Sequence, residues 1–142
     1  MLRFKRLTDI DSIKEIVKKD NLYKSVLNID DLEEWIPEPT YGWYAGYEHD
    51  ELVGFLLLVK ESKNSMSFHA GLYKEYRGVG SEYLSKIIAQ MHVNLPNYQL
   101  WTKTLENNKA AIKCLEQNNF EKTGYIPNVH DNLSYLIYSE KA

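Results

Sequence analysis

The first chemical signal in this sequence is a pair of glycines that lie two residues apart. The segment Glu75–Ser81, the glycine segment, reads EYRGVGS and lies between a strand-like run and a helical pattern. Gly78 and Gly80 allow the backbone to turn tightly and to approach a ligand closely, and the first N–H groups of the following helix point toward that ligand. With the Arg77 guanidinium beside them, these groups predict a cradle for an anion.

The glycine segment does not match two common nucleotide-binding loops. A P-loop needs Gly-Lys followed by Ser or Thr, and this ending is missing here. A dinucleotide-binding loop needs three spaced glycines after the first strand, whereas this pair lies late in the chain. Taken alone, the pair also fits an ordinary turn between a strand and a helix, and that alternative stays open.

The residues around the glycine segment have the patterning of alternating strands and helices. Apolar and basic residues alternate over 3–8, as in a strand at or near a sheet edge, and apolar residues recur three and four apart over Ile10–Val17, as in a helix. The second arm of a hairpin at 41–60 is apolar on both faces, which predicts a central strand. The predicted order is β-α-α-β-β-β-α-β-α-β-β, with a short helix and loop at 21–40, strands at 66–73, 98–104, 120–125 and 133–139, a loop at 74–80, and helices from Ser81 and at 108–118.

Length and composition predict one globular α/β domain over 1–142. The chain is 44% hydrophobic and 26% charged, which is enough apolar residue for one core. A formal net charge of -3 argues against binding to a nucleic-acid backbone. We find no secretory segment and no long apolar span, so we expect a cytoplasmic protein that does not enter a membrane. The 11 tyrosines are not explained by composition.

Histidine and cysteine give no sign of a metal site. The four histidines are scattered without ligand spacing, and Cys114 is the only cysteine. A single cysteine cannot form an internal disulfide, and no base lies beside it in the sequence. We therefore expect no metal, and we expect Cys114 to pack against a neighbouring element.

A second motif follows downstream, and the two motifs together resemble the GNAT superfamily of acyl-CoA N-acyltransferases. Asn108 can cap a helix that Asn119 ends in the left-handed conformation. The glycine segment is similar to the family's pyrophosphate motif, V-x-P-E-Y-R-G-x-G-x-G. The later helix is similar to N-x-x-A-I-x-x-Y-E-x-x-G-F. In the later helix, the residues that match this pattern are Asn108, Ala111, Ile112, Glu116 and Phe120. The resemblance covers most of the chain and is weakest over 21–40.

The resemblance implies a fold, a cosubstrate and a reaction. The fold would be GNAT-like, with a central, mostly antiparallel sheet and helices on both faces, and a homodimer is compatible with it. Acetyl-CoA would donate its acetyl group to a primary amine of a small molecule or protein, which attacks the thioester directly. The residues implied in binding acetyl-CoA are Leu72 and Tyr73 for the pantetheine arm, Arg77, Gly78, Val79, Gly80 and Ser81 for the pyrophosphate, and Asn108 for the arm or thioester.

Three features of the reaction stay open. His69 is the titratable residue of the strand before the glycine segment, so it is the candidate general base, although a hydrogen-bonded strand histidine or a water chain also fits. Leu115 stands where many members carry the tyrosine that protonates the CoA thiolate. Tyr83, Tyr125, Tyr135 and Tyr138 are possible replacements. The glycine segment also aligns imperfectly, being two residues short in one alignment. The alternative function is therefore a GNAT-fold module that binds CoA or a protein partner without turnover.

Overall fold

The structure, a computed structural model, describes residues 2–141 except for the side chains of Val79 and His130. Two short 3₁₀ helices, Lys19–Asn21 and Lys74–Val79, accompany the regular elements. The element order confirms the predicted one. The elements are β1 Leu2–Leu7, α1 Ile10–Lys18, α2 Leu22–Ser25, β2 Gly42–Glu48, β3 Glu51–Lys60, β4 Ser65–Leu72, α3 Gly80–Asn94, β5 Gln99–Leu105, α4 Lys109–Gln117, β6 Phe120–His130 and β7 Leu133–Glu140.

The strands are hydrogen-bonded in the order β1-β2-β3-β4-β5-β7-β6. The pairs β1–β2, β2–β3, β5–β7 and β6–β7 are antiparallel, and β4–β5 is parallel. This confirms a mixed, mostly antiparallel sheet. β1 lies at an edge as expected, and the buried run Val53–Leu57 confirms that β3 is an inner strand.

The chain forms two compact units. The first unit contains the residues up to Val59 together with His69–Gly78. The second unit contains Lys60–Phe68 together with the residues from Val79 onward. β4 and the glycine segment each contribute residues to both units, and the single domain over 1–142 stays a prediction.

The core of the first unit forms around the apolar stripe of α1. Asp9 caps this helix, because its carboxylate accepts the N–H of Ser12 at 2.9 Å, and this hydrogen bond lowers the pKa of Asp9. The helix then turns one face toward the strands and buries it there. The buried residues of this core are Ile13, Ile16, Val17, Leu22, Trp43, Ala45, Phe55, Leu57 and Tyr73.

The core of the second unit contains Leu100 and Phe120, which are almost completely buried. The rings of Phe68 and Phe120 meet edge to face, 5.8 Å apart between centroids. Glu140 joins three elements of this unit, since its carboxylate accepts the Leu100 N–H at 2.9 Å and lies 2.6 Å from His92 Nε2. The buried stripe of α3 consists of Tyr83, Leu84, Ile87 and Met91.

Two glycines permit a close approach inside the first unit. A Cβ built on Gly54 of β3 would collide with the carbonyl oxygen of Gly71 in β4. A Cβ on Gly71 would lie 2.6 Å from the Phe55 ring. The backbone of Gly71 cannot move aside as a flexible side chain can, and the Phe55 ring near Gly71 is buried, so both positions favour glycine.

We expect Gly54→Ala to lower the free energy of unfolding by about 1–3 kcal/mol, because the new methyl group overlaps the Gly71 carbonyl. Gly78→Ala is the matched control. A Cβ at Gly78 would meet no atom within 4 Å, and its φ is not left-handed. That variant should be neutral or about 0.4–1 kcal/mol more stable. Urea unfolding of both variants checks the prediction, and equal stabilities would contradict it.

Candidate functional site

The glycine segment is helical rather than a loop. Residues Lys74–Val79 form a 3₁₀ helix that leads directly into α3, which begins at Gly80, one residue before the predicted start. The Tyr76 N–H donates to the Tyr73 carbonyl at 2.9 Å and closes the first turn. The predicted loop at 74–80 is therefore wrong. Its glycines were interpreted as turn residues, but Gly78 has no left-handed φ and continues the helical path.

Gly78 has open space where a side chain would be. The residue is exposed, and a Cβ built on it would meet nothing within 4 Å. Neither a left-handed backbone nor close packing inside the protein requires glycine here. A small residue at this point leaves room for another molecule to approach the backbone closely.

The first unit holds the start of the 3₁₀ helix at Lys74–Val79 through contacts with residues that follow α1. Asp20 has a left-handed φ of 56°, and its carboxylate accepts the Lys74 N–H at 2.7 Å. Lys19 Nζ lies 3.1 Å from the Glu75 carboxylate. These contacts join residues more than fifty positions apart, so no local pattern could have predicted them.

Tyr73 fixes the end of β4. Its ring is completely buried, and its hydroxyl donates to the Ile16 carbonyl at 2.7 Å. Burial raises the pKa of this phenol above its ordinary value, which keeps it protonated. Its N–H donates to Val53 and its carbonyl accepts from Tyr76. Tyr73 thus has a structural role in addition to the expected one at the pantetheine arm.

Leu72 carries the backbone groups on the opposite edge of β4. Neighbouring residues of a strand direct their N–H and C=O groups to opposite sides, so Leu72 faces away from the Val53 contact of Tyr73. The Leu72 carbonyl accepts a hydrogen bond from Arg77 Nε at 3.2 Å. Arg77 is exposed and lies folded back on the strand. A ligand that uses the Leu72 carbonyl would therefore share this oxygen with Arg77 or displace the Arg77 side chain.

His69 is half-buried in β4. Side chains of a strand alternate between its faces, so His69 lies on the same face as Gly71, two residues further on. That face points to Phe55 and Leu22, since a Cβ on Gly71 would lie within 3.1 Å of both side chains. His69 shares this face of β4 and is only half-buried.

In the second unit, the first turn of α3 is joined to the end of α4. The Ser81 hydroxyl donates to Gln117 Oε1 at 2.6 Å, and Asn118 Nδ2 donates to the Ser81 carbonyl at 3.2 Å. At the other end of α4, Asn108 Oδ1 accepts the Ala111 N–H at 3.2 Å, which confirms the predicted cap. The contacts of Gln117 and Asn118 were not predicted from the sequence. The signal that could have indicated them is the pair of amide side chains just before Asn119.

The parallel pairing of β4 with β5 runs from Ser65 with Gln99 to Ser67 with Trp101. At the next position, the Thr102 hydroxyl donates to the Phe68 carbonyl at 2.5 Å. A side-chain hydrogen bond thus continues the contact between β4 and β5 where the backbone pairing stops. Thr102 is buried away from water, so this hydrogen bond gives a partner to both the hydroxyl and the carbonyl.

The four tyrosines considered as replacements for an acid at Leu115 differ in exposure. Tyr125 is 64% exposed, whereas Tyr83 and Tyr138 are buried and Tyr135 is half-buried. Burial and the nearby negative charge of Glu116 raise the pKa of Tyr138, which makes release of its proton harder. Leu115 itself is 5% exposed and packs in the second core.

Among the described residues, no group of three or more His, Cys, Asp and Glu side chains could hold a metal ion. In the same part of the chain, no helix has the length and apolar character needed to span a membrane.

Comparison with solved structures finds N-acetyltransferases. Spermidine N-acetyltransferase from Vibrio cholerae, in complex with CoA and spermine, aligns with a TM-score of 0.74 over 97% of this chain and 94% of its own, at 13% identity. PseH from Campylobacter jejuni, in complex with acetyl coenzyme A, aligns at 0.66 over 99% and 100%, at 18% identity. An N-acetyltransferase from Staphylococcus aureus Mu50 aligns at 0.70 over 99% and 97%, also at 18% identity.

The chain has the fold of these N-acetyltransferases. The alignments cover nearly all of each chain, so the expected GNAT-like fold is confirmed. Identities of 13–18% establish the fold alone. No family model matches the sequence, and a search of curated proteins gives no match.

We expect Tyr73→Phe to lower the free energy of unfolding by about 1–3 kcal/mol, because the buried Ile16 carbonyl loses its donor. The raised pKa of Tyr73 stabilises the fold below the ordinary phenol pKa of 10.0, and this contribution is lost as the pH rises above it. Wild-type protein should therefore lose stability above pH ~10 more steeply than the variant. Urea unfolding at neutral and alkaline pH checks this. Tyr125→Phe, at an exposed ring, is the control, and equal losses in the two variants would contradict the prediction.

Proposed function

We propose that this protein is an N-acetyltransferase that transfers the acetyl group of acetyl-CoA to a primary amine of a small molecule or protein in the cytoplasm. The open space at Gly78, inside a segment that resembles a pyrophosphate motif, is the observation that carries the proposal. Neither a left-handed φ nor a contact within 4 Å requires glycine there, and close approach of a ligand would account for it. Neighbours solved with CoA or acetyl coenzyme A support the same cosubstrate.

We assign the contacts with acetyl-CoA to residues of β4, the glycine segment and the start of α4. In the first unit, the Leu72 backbone and the end of β4 at Tyr73 would receive the pantetheine arm, while Arg77 leaves the Leu72 carbonyl and turns to the pyrophosphate. The guanidinium would exchange a hydrogen bond to a neutral carbonyl for one to the doubly charged pyrophosphate. This movement is favoured because hydrogen bonds between charged groups are stronger. The remaining contacts with the pyrophosphate or the arm would come from the backbone at Gly78, Val79, Gly80 and Ser81, and from Asn108.

The proposed reaction forms a carbon–nitrogen bond and breaks the carbon–sulfur bond of the thioester. An alkyl amine with a pKa of ~10.4 is neutral only about once in 2,500 molecules at pH 7, so a base must take its proton. We assign this role to His69, because histidine is the side chain whose ordinary pKa lies closest to neutrality. The departing thiolate takes up a proton afterwards. A thiol has a pKa of about 8.5, so this step can proceed without a tyrosine at Leu115.

We expect calorimetry to detect binding of both acetyl-CoA and CoA. Arg77→Glu should weaken this binding about tenfold to a hundredfold, the equivalent of one charge-assisted hydrogen bond. Gly78→Val should also weaken it while leaving the unfolding midpoint unchanged, because its side chain fills space that the fold leaves open. Arg3→Glu makes the same change of charge on β1 and should bind normally. Absence of binding to the wild-type protein at high micromolar CoA would contradict the proposal.

We expect His69→Gln to lower kcat about 10²- to 10⁴-fold, with acetyl-CoA binding retained. Release of CoA thiol over a panel of amines measures this, and the panel should include polyamines because the side chains of Glu33 and Glu34 are exposed. The control is His49→Asn, at the exposed tip of the hairpin between β2 and β3. If the wild-type protein binds acetyl-CoA but releases no thiol with any amine, the alternative of a CoA-binding module without turnover is favoured.

A further inference from the structure

Two amide side chains at the end of α4 hold the residue that opens the first turn of α3. Gln117 Oε1 accepts the Ser81 hydroxyl at 2.6 Å. Asn118 Nδ2 contacts Ser81 twice, at 3.2 Å from its carbonyl and 3.4 Å from its hydroxyl oxygen. All three residues belong to the second unit. We call this pair of amides, Gln117 and Asn118, the amide clamp.

The clamp occupies the hydrogen-bonding capacity of Ser81. A serine hydroxyl has one proton to donate, and here that proton goes to Gln117. It cannot be donated to a phosphate oxygen at the same time. The role left for Ser81 in a CoA site is therefore the placement of its backbone, and the clamp determines that placement.

Asn118 is itself fixed before it contacts Ser81. Its Nδ2 donates to the Cys114 carbonyl at 2.8 Å, and its backbone N–H donates to the Leu115 carbonyl at 3.0 Å. The helix ends at Gln117, Asn118 is its C-cap residue, and Asn119 has a left-handed φ of 68°. The amide thus projects from a rigid helix end and not from a mobile loop.

We propose that Gln117 and Asn118 are positioning residues for the pyrophosphate half of acetyl-CoA. The inference rests on the proposed function. Preorganised N–H groups stabilise an anion only when they are held at the correct place, and a displacement near 1 Å has large effects on binding and rate. Loss of the clamp should therefore weaken contacts with the pyrophosphate and spare those with the acetylated pantetheine arm.

Two thioesters separate these effects. S-acetylpantetheine carries the same acetyl group and arm as acetyl-CoA but lacks the pyrophosphate and the nucleotide. We expect Gln117→Met and Asn118→Leu each to lower kcat/KM for acetyl-CoA on the order of tenfold, through KM, and to leave kcat/KM for S-acetylpantetheine within about twofold. Gln99→Met removes a side-chain hydrogen bond to Glu140 in the same unit and is the matched control.

A double-mutant cycle tests whether Ser81 acts through the clamp. If it does, Ser81→Ala and Gln117→Met remove the same hydrogen bond, so the double variant should bind CoA no more weakly than either single variant. A hydroxyl that contacts the phosphate directly would give a large effect for Ser81→Ala and none for Gln117→Met. Gln117 is exposed, so these variants should fold, and thermal unfolding checks that they do.

The outcomes are distinguishable. A wild-type protein that binds no CoA overturns the proposed function and this inference with it. A wild-type protein that binds CoA, with clamp variants that lose both thioesters equally or neither, overturns the inference alone. Selective loss of acetyl-CoA, together with the non-additive cycle, supports it.

Discussion

The buried side chain of Tyr73 is the constraint on which the glycine segment depends. Its hydroxyl donates to the Ile16 carbonyl and Lys19 Nζ lies 4.5 Å above the ring, so β4 must end where α1 ends. The 3₁₀ helix begins at the next residue, and Asp20 accepts the N–H of Lys74 there. The direction in which the glycine segment leaves the strand is therefore set by the core of the first unit. Local turn preferences do not decide it.

The proposed ligand site is therefore a helical segment whose position the core of the first unit determines. In a loop, glycines satisfy left-handed backbone angles, and their presence says little about ligands. Gly78 follows an ordinary helical path, so its backbone angles do not require glycine. Its Cβ position faces open space. In contrast, Gly54 and Gly71 are required by the packing of β3 against β4. Packing therefore requires glycine at Gly54 and Gly71 but not at Gly78.

The sequence predicted the parts of the structure that depend on neighbouring residues. Strand and helix order followed from hydropathy period, and Asn108 and Asn119 were recognised at helix ends because capping is local. The contacts of Asp20 with Lys74 and of Gln117 with Ser81 span 54 and 36 residues. No short window contains both partners, so these contacts around the glycine segment could not be predicted.

The tyrosine excess has a largely structural explanation. Lysine or arginine side chains lie within 6 Å of the ring centroids of Tyr23, Tyr44, Tyr47, Tyr73, Tyr83, Tyr98 and Tyr135. An aromatic face attracts a nearby cation, and the alkyl stem of the lysine or arginine side chain can cover apolar surface beside the ring. Tyrosine number is therefore poor evidence for a replacement acid. Tyr138, buried beside the charge of Glu116, holds its proton more tightly than an ordinary phenol does. In the proposed reaction, a leucine at position 115 is compatible with the leaving group, because a thiolate departs readily without a proton donor.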